Sequence, residues 1–329
     1  MIFRKAESTL TTVCFSQNKM RIIFCLFFLM FIASRSLAQD SALRVGENIV
    51  YLKEVVVGKG LDVSAFIQFA KEDTGFYKAF KNLRVLQFRA INDIRMYGRK
   101  ERQTASLFSQ TFNEVKAGCR QTKILQESSS GDFYDDDGAY NYYTASLYAS
   151  LFFTKGKVCG ESNLVGQKSF DVKKEKGMEK HKEMLKMLFF YPGKSIPGLP
   201  GIGNKLGVFE KPEIDCYEMI VDLVPFQGEE CYLLKIRPKK DLSFRFSNKV
   251  VLTEMDTWFA ISDFSVLGKS WKLNYNAGIY DFDVAMEVQL TGFGSLTVPT
   301  IMRYHGDWDV PFKRREKGVF TATLSDFSY

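Results

Sequence analysis

An alternation of apolar and polar residues with a period of two is the feature that most constrains this chain. It is clearest in the segment Ile279–Thr291. One side carries Tyr280, Phe282, Val284, Met286, Val288 and Leu290. The other side carries Asp281, Asp283, Glu287 and Gln289. Because successive side chains of a β-strand point to opposite faces of a sheet, the pattern predicts a strand with one buried and one solvated face.

Strand-like segments of this kind fill the rest of the C-terminal part, with turn residues between them at hairpin lengths. They are Cys216–Val224, Glu230–Pro238, Asn248–Glu254, Trp258–Tyr275, Ile279–Thr291, Thr297–Trp308 and Gly318–Phe327. Three further strands are predicted between residues 83 and 128, and the β-branched segment Ile49–Val57 predicts another. Strands joined by short turns pair antiparallel, so the chain predicts a long antiparallel sheet in two sequence blocks.

Amphipathic helices are predicted around and between these blocks. Val63, Phe66, Ile67 and Ala70 recur at helical spacing behind Asp62, which is placed to cap a helix that breaks near Gly75. Two more helices are predicted within residues 140–156 and 178–193, and residues 128–141 between strand and helix are predicted to be a polar loop. The fold class is therefore α+β: a long curved antiparallel sheet that wraps amphipathic helices.

Polar residues interrupt the apolar side of the segment Trp258–Tyr275. Trp271, Leu273 and Tyr275 share one side, where we expect them to pack under a helix. Asp263 and Lys269 fall on that same side. Because an unpartnered buried charge is destabilising, we expect these two residues at the rim of the sheet, in contact with water.

The N-terminus has the pattern of a secretory signal peptide. Basic residues precede the apolar run "IIFCLFFLMFIA", and "SLA" at positions 36–38 supplies the small residues that precede a cleavage site. Residues 1–38 carry five basic residues and one acidic residue, so their removal lowers the formal net charge from +7 to +3. We expect the mature protein in the periplasm, and its near-neutral charge argues against nucleic acid as a partner.

Four cysteines remain after cleavage. Cys216 and Cys231 occupy two arms of one predicted hairpin, several residues out of register, which is too far apart for a disulfide. Cys119 with Cys159 is the favoured pair if a bridge forms in an oxidising compartment. The alternative is that these cysteines stay as buried thiols.

The sequence offers little catalytic or metal-binding chemistry. Its two histidines are His181, in a lysine-rich helical pattern, and His305, near Asp307. No cysteine pair has the spacing of a metal site, so we expect no metal and no cofactor. We expect no catalytic residue, with a hydrolase that uses His305 or Asp307 as the weakest alternative. The basic turn at residues 312–318 predicts, at most, peripheral contact with lipid headgroups.

The order of elements resembles that of a known superfamily. "GEECYLLKI" at Gly228–Ile236, "DTWFAI" at Asp256–Ile261 and "PTI" at Pro299–Ile301 are similar to marks of the periplasmic LolA-like half-barrels, which sort outer-membrane lipoproteins. Exported envelope proteins of gram-negative bacteria also carry such a domain. The resemblance covers Asp62–Tyr329. It implies a half-barrel over residues 61–329, preceded by an N-terminal extension or edge strand over residues 39–60.

The resemblance also implies an apolar cavity for a lipid, an acyl chain or another hydrophobic partner. The residues that we expect to line it are Trp271, Leu273, Tyr275, Phe282, Val284, Met286, Tyr143 and Leu147. The last two belong to a segment that serves as a lid or, alternatively, as core. The alternative function is a structural adaptor without a cavity, which docks on an outer-membrane protein complex through a sheet edge. The oligomeric state stays open.

Overall fold

One thirteen-stranded sheet organises the part of the chain that the structure describes. The structure is a computed structural model and describes residues 41–45, 48–57, 60–165, 186–197, 199, 201–243, 250–276, 281–309 and 315–329. The predicted signal peptide, His181 and residues 312–314 of the predicted basic turn lie outside these ranges.

Most strands that follow one another in the chain are also neighbours in the sheet. They are β1 Ser41–Val45, β2 Asn48–Leu52, β3 Gln87–Tyr97, β4 Gln103–Lys116, β5 Cys119–Gly131, β6 Val158–Cys159, β7 Tyr217–Phe226, β8 Glu229–Pro238, β9 Leu252–Ala260, β10 Val266–Asn276, β11 Asp281–Phe293, β12 Leu296–Asp309 and β13 Glu316–Ser328. Their order in the sheet is β1-β2-β7-β8-β9-β10-β11-β12-β13-β3-β4-β5-β6. Neighbouring strands are antiparallel except β2 and β7, where Val50 lies opposite Met219 in a parallel pair.

Short helices accompany the sheet. They are α1 Glu54–Val57, α2 Val63–Glu72, α3 Gly75–Asn82, α4 Tyr143–Phe152 and α5 at residues 186–190, with 3₁₀ turns at Arg99–Glu101, Asn204–Leu206 and Glu213–Cys216. Asp62 caps α2 by accepting a hydrogen bond from the backbone N–H of Ala65 at 3.0 Å, as the sequence predicts. Within the described ranges, every helix falls short of the length and apolar content that a bilayer crossing needs.

The helices pack against the inward-facing side chains of strands that lie far apart in the sheet. Phe66 of α2 contacts Phe259 of β9 with ring centroids 5.1 Å apart. Phe76 of α3 contacts Trp271 of β10 at 5.9 Å, and Tyr148 of α4 contacts Phe320 of β13 at 4.5 Å. Strands β9 and β13 are four places apart in the sheet. The sheet therefore curves around the helices, and the α+β fold class predicted from the sequence is confirmed.

The predicted parity of β11 is confirmed. Phe282, Val284, Met286, Val288 and Leu290 are all buried, while the acidic residues between them are exposed or half-buried. One face of the strand thus belongs to the apolar core, and the other meets solvent.

The prediction of one long strand over Trp258–Tyr275 is wrong. The segment contains the end of β9, a turn at residues 261–265 and nearly all of β10. Asp263 accepts a hydrogen bond from the backbone N–H of Ser265 at 2.9 Å, and the backbone of Phe264 has a positive φ of 57°. Asp263 and Ser265 therefore belong to a hairpin turn, where an aspartate that binds its own backbone is favoured.

The prediction that Lys269 lies at a wet rim is also wrong. Its side chain is only 9% exposed, on the inward face of β10. The ammonium lies 5.1 Å from the centre of the Phe76 ring. The long aliphatic stem of lysine packs in the core, and the aromatic face offers partial compensation for the buried charge. This burial lowers the pKa of Lys269, and Asp73 raises it to a smaller extent.

Two local predictions fail at segment ends. The predicted strand Ile49–Val57 stops at Leu52, because its pairing with β7 ends there and the next residues turn into α1, where Val56 is fully buried. The predicted loop at residues 128–141 begins within β5, since Ser128–Gly131 still pair with β4. Backbone pairing at an exposed edge needs no apolar side chains, so the serine run concealed that part of the strand.

Candidate functional site

An apolar cavity lies between helix α4 and the inward face of strands β10–β13. Its enclosed volume is about 50 Å³. The floor consists of Trp271 and Leu273 from β10 with Met286 and Val284 from β11. Trp271 lies directly opposite Met286, and Leu273 lies opposite Val284. These cross-strand pairs place four apolar side chains side by side, as direct partners on one face of an antiparallel sheet.

Helix α4 forms the roof. Tyr143, Leu147 and Leu151 line the cavity at intervals of four residues, which places them on one side of the helix. Leu188 and Phe189 close the cavity from the side. The roof is less buried than the floor: Tyr143, Leu147 and Leu151 are half-buried, whereas the four floor residues are buried.

A single carboxylate on the sheet holds the N-terminus of α4. Glu316 of β13 accepts hydrogen bonds from the backbone N–H groups of Tyr143 and Thr144, at 2.6 and 2.8 Å, and from the Thr144 hydroxyl at 2.8 Å. The residue at the N-cap position, Tyr142, makes no capping bond with its side chain. A carboxylate at this position satisfies free N–H groups and interacts favourably with the helix dipole. Glu316 therefore fixes one end of the roof.

Few polar atoms reach this cavity. The indole N–H of Trp271 is buried and has no hydrogen-bond partner among the described residues. Trp308 donates a hydrogen bond from its indole N–H to the Tyr304 hydroxyl, and burial raises the pKa of that hydroxyl. Gly306 stands between these two residues, where a Cβ atom would overlap the Tyr304 hydroxyl. The lining is therefore mostly apolar, with Glu316, Thr144 and tyrosine hydroxyls as its polar groups, and it suits an apolar group.

Six of the eight residues expected to line a cavity lie around this one. Tyr143, Leu147, Trp271, Leu273, Val284 and Met286 are the six. Tyr275 and Phe282 are not among the lining residues. Their rings contact each other at 5.8 Å, and Phe282 also contacts Trp308 at 5.3 Å, so both belong to the packing beside the cavity. A role of any of these residues in ligand binding stays a prediction.

Several lining residues were missed from the sequence. Leu151 follows from Leu147 by one helical turn, and Tyr304 and Phe320 have the inward parity of their strands. That signal was present in the sequence. Glu316 and Tyr148 gave no such signal, because their roles depend on contacts made across 173 and 56 residues of chain.

A second cavity, of about 110 Å³, lies on the other side of α4, against strands β3 and β4. Tyr148 and Leu151 line both cavities. Here the sheet contributes polar side chains: Asn92 from β3 with Thr111 and Asn113 from β4, all of them buried. The Tyr148 hydroxyl donates to Asn92 Oδ1 at 2.6 Å and separates the two cavities.

Cationic residues line the same polar cavity. They are Lys81, Arg84 and Arg120. Glu161 pairs with both arginines, at 3.3 Å to Arg84 and 2.8 Å to Arg120. The pKa of Lys81 is lowered, first by burial and then by Arg84, while Glu161 acts in the opposite direction.

A disulfide joins Cys119 and Cys159, the pair favoured from the sequence, and attaches β6 to the start of β5. The backbone N–H of Gly160 donates to the carbonyl of Gly118 at 3.1 Å, which places Glu161 beside Arg120. Cys216 and Cys231 are both buried, and burial raises the pKa of the Cys231 thiol to about 11.

The residues considered for catalysis do not reach either cavity. His305 is exposed on β12, on the face opposite to Tyr304. Asp307 is paired with Arg315 at 2.8 Å, and Arg315 also contacts Asp281. These contacts give the hydrolase alternative no geometric support.

No family model matches the sequence, and no curated protein matches it. Solved structures do show similarities. One is a DUF1329 family protein from Desulfovibrio piger, with 11% identity, a TM-score of 0.24, and 78% of this chain and 94% of that chain covered. Another is an outer-membrane lipoprotein-sorting protein domain from Vibrio parahaemolyticus, with 10% identity, a TM-score of 0.25, and coverage of 77% and 91%.

A third similarity is to a structure that describes lipid–protein interactions in lipovitellin. It has 8% identity and a TM-score of 0.26, and it covers 74% of this chain and 25% of that chain. The lipoprotein-sorting resemblance drawn from the sequence thus recurs among solved structures. Similarities at these TM-scores carry no argument about function, which rests on the two cavities.

Proposed function

We propose that this protein is an exported, non-enzymatic carrier or chaperone-like module that holds a lipid, an acyl chain or an apolar group of a partner under helix α4. One observation carries the proposal: a cavity with an almost wholly apolar lining lies between a well-packed sheet and a half-buried helix. An apolar pocket of this kind is suited to a hydrocarbon chain.

The volume of the cavity defines what binding requires. About 50 Å³ accommodates one or two water molecules or a few methylene groups, whereas ligand sites usually measure about 300 Å³ or more. A ligand therefore has to displace α4, whose side chains are the less buried wall. We infer that the described conformation is the closed one, and that α4 moves away from the sheet when a chain enters.

The signal peptide pattern and the disulfide support the proposed location. A bridge between Cys119 and Cys159 persists in an oxidising compartment. Together with the N-terminal segment, it supports export to the periplasm. Contact with an outer-membrane protein or with a membrane surface remains part of the proposal.

The outer edge of the sheet supports a second candidate, an adaptor that docks through a strand. Among the described residues, β6 pairs with β5 only at Cys119 and Arg120. The remainder of the outer edge of β5 is unpaired there, and Ile124 and Leu125 are 58% and 49% exposed. An open edge with exposed apolar side chains can add a strand from a partner.

Binding of a fluorescent probe for apolar cavities, followed by native mass spectrometry for co-purified lipid, distinguishes the two candidates. The carrier should bind the probe or retain lipid. Leu147→Trp fills the cavity from the roof and should abolish both signals. Leu164→Trp is the matched control, because Leu164 is 71% exposed and lines neither cavity. A folded wild-type protein that binds neither probe nor lipid would contradict the carrier and leave the adaptor.

A further inference from the structure

The two cavities share a wall that belongs to one helix. Tyr148 and Leu151 line both cavities, and both residues are in α4. A displacement of α4 that admits a chain to the apolar cavity would therefore open the polar cavity as well. A single ligand that spans both cavities has to be apolar at one end and polar at the other.

The charge of the polar cavity determines which polar end fits. Of the described residues that line it, three are cationic and none is acidic. Among the described residues, Glu161 is the single carboxylate paired with them, and it is shared between Arg84 and Arg120. Glu161 raises the pKa of Lys81, whereas the neighbouring cations Arg84 and Lys78 lower it. One carboxylate therefore does not balance the positive charges around Lys81. The surplus is positive in a partly buried site, where an anion is attracted more strongly than at an open surface.

A buried amide side chain of β4 also lines the polar cavity. Asn113 is 2% exposed and donates from Nδ2 to the carbonyl of Leu86 at 2.9 Å. Its Oδ1 is buried without a hydrogen-bond partner among the described residues. The cationic side chains are therefore the groups that select the polar end of a ligand.

We infer that the polar cavity binds the anionic headgroup, a phosphate or a carboxylate, of an amphiphile whose hydrocarbon chain occupies the apolar cavity. This inference rests on the proposed carrier function and names its ligand class. Arg84 and Arg120 bind the anion, and Tyr148 stands at the junction between headgroup and chain. Because Glu161 competes with the ligand for both arginines, it weakens binding and favours release.

Displacement of the bound probe by three compounds tests the inference. Dodecyl phosphate and 1-dodecanol share a chain and differ in charge, and inorganic phosphate has the charge without the chain. We expect dodecyl phosphate to displace the probe at a concentration at least tenfold below that of 1-dodecanol. Inorganic phosphate, followed by calorimetry, should bind far more weakly than dodecyl phosphate. Equal affinity of these two phosphates would show a free-anion site and overturn the inference.

Three substitutions sharpen the test. Arg84→Gln should weaken dodecyl phosphate severalfold without an effect on 1-dodecanol, and Glu161→Gln should strengthen dodecyl phosphate severalfold. Arg89→Gln is the matched control, because Arg89 is exposed on β3, pairs with Asp326 and lines neither cavity. Thermal unfolding of each variant verifies that it is folded.

Failure of the inference and failure of the carrier function give different results. If dodecyl phosphate and 1-dodecanol displace the probe equally, and Arg84→Gln and Glu161→Gln leave both unchanged, the headgroup site is wrong and the apolar carrier stands. If the wild-type protein binds no probe and neither dodecyl compound, the carrier function itself is wrong.

Discussion

The two cavities under α4 differ in chemistry although they share a helix and a sheet. Strands β10–β13 present Trp271, Leu273, Met286 and Phe320 to the apolar cavity. The inward side of β4 begins with Ala105 and Leu107 and continues with polar residues. These are Ser109, Thr111 and Asn113. The inward face of one sheet therefore changes from apolar to polar across its width, and the helix above it is in contact with both kinds of surface.

The polar part is stabilised by specific contacts, whereas the apolar part needs only the right shape. Asn92 lies directly opposite Ser109 in the β3–β4 ladder and donates to its hydroxyl at 3.2 Å. Asn92 also accepts from Tyr148. Buried amides need such partners, while apolar side chains gain from burial in any close-packed arrangement. Substitutions around the apolar cavity should accordingly change stability through side-chain volume and desolvation. Substitutions around the polar cavity should change it through individual hydrogen bonds and ion pairs.

The largest effect is expected at the apolar side, from Phe282→Asp. Phe282 is 1% exposed and packs between Tyr275 and Trp308. The change removes a core aromatic and buries an unpaired charge, so it should lower the free energy of unfolding by more than about 4 kcal/mol. Chemical denaturation measures this loss. Asp283→Asn, on the solvent face of the same strand, should change it by about 0.5 kcal/mol or less, and similar values for the two variants would refute the assigned parity.

Removal of the disulfide should be the next largest effect and should act on the polar side. Cys119 and Cys159 are 40 residues apart, and closure of such a loop contributes about 4 kcal/mol through the unfolded state. The double variant Cys119→Ser/Cys159→Ser should lose stability of this order in denaturant. The double variant should also weaken the ion pair between Glu161 and Arg120, because the disulfide no longer holds that segment against β5. A non-reducing peptide map of the wild-type protein that shows both thiols unpaired would remove the basis of this prediction.

Lys269→Met should increase stability. Lys269 is buried beside Phe76 on the apolar side. Burial of a charge carries a desolvation cost, and replacement of buried ionic groups by well-packed apolar side chains stabilises proteins by up to about 4 kcal/mol. Thermal unfolding at neutral pH provides the measurement. A decrease in melting temperature would mean that the ammonium makes a net favourable contribution.

The pH dependence of the same pair of proteins provides a further check. The pKa of Lys269 is lowered in the folded protein, so the unfolded chain binds that proton more tightly. Stability therefore rises with pH between the lowered pKa and the ordinary value of 10.5. The difference in stability between the Met variant and wild type should shrink over this range, because other titrating groups are common to both.

Tyr148→Phe should have the smallest effect of the four. The substitution removes the hydroxyl that donates to Asn92 Oδ1 and leaves a buried acceptor, at an expected loss of about 1–2 kcal/mol. Equilibrium unfolding in urea measures it. If water in the polar cavity reaches Asn92, the loss falls below about 1 kcal/mol. This outcome would show that water can replace the Tyr148 hydroxyl as the partner of Asn92.

Most of the sheet could be predicted from the sequence, because its strands alternate regularly and its turns are short. Five of the seven C-terminal strands correspond to one predicted segment each, whereas the break predicted between Glu254 and Trp258 lies instead at residues 261–265. The fate of Lys269 could not be predicted from periodicity. Its partner is an aromatic ring 193 positions away along the chain, and a pattern rule treats any inward lysine as an interruption.

The candidate site was predicted only in part, and the reason is similar. Trp271, Leu273, Val284 and Met286 follow from strand parity, and Leu147 follows from helical spacing. The polar cavity was missed altogether, because Asn92 and Thr111 read as ordinary polar positions until the fold places α4 over them. Parity indicates which residues face inward. It does not indicate what covers them.

The covalent bond between Cys119 and Cys159 also limits how far the roof can travel. Helix α4 ends at Phe152, seven residues before Cys159, and a fully extended chain of that length reaches about 25 Å. The other end of the helix connects to the end of β5. In the proposed carrier, helix α4 is therefore a tethered lid, which can move aside to admit a chain but stays attached near the site at both ends.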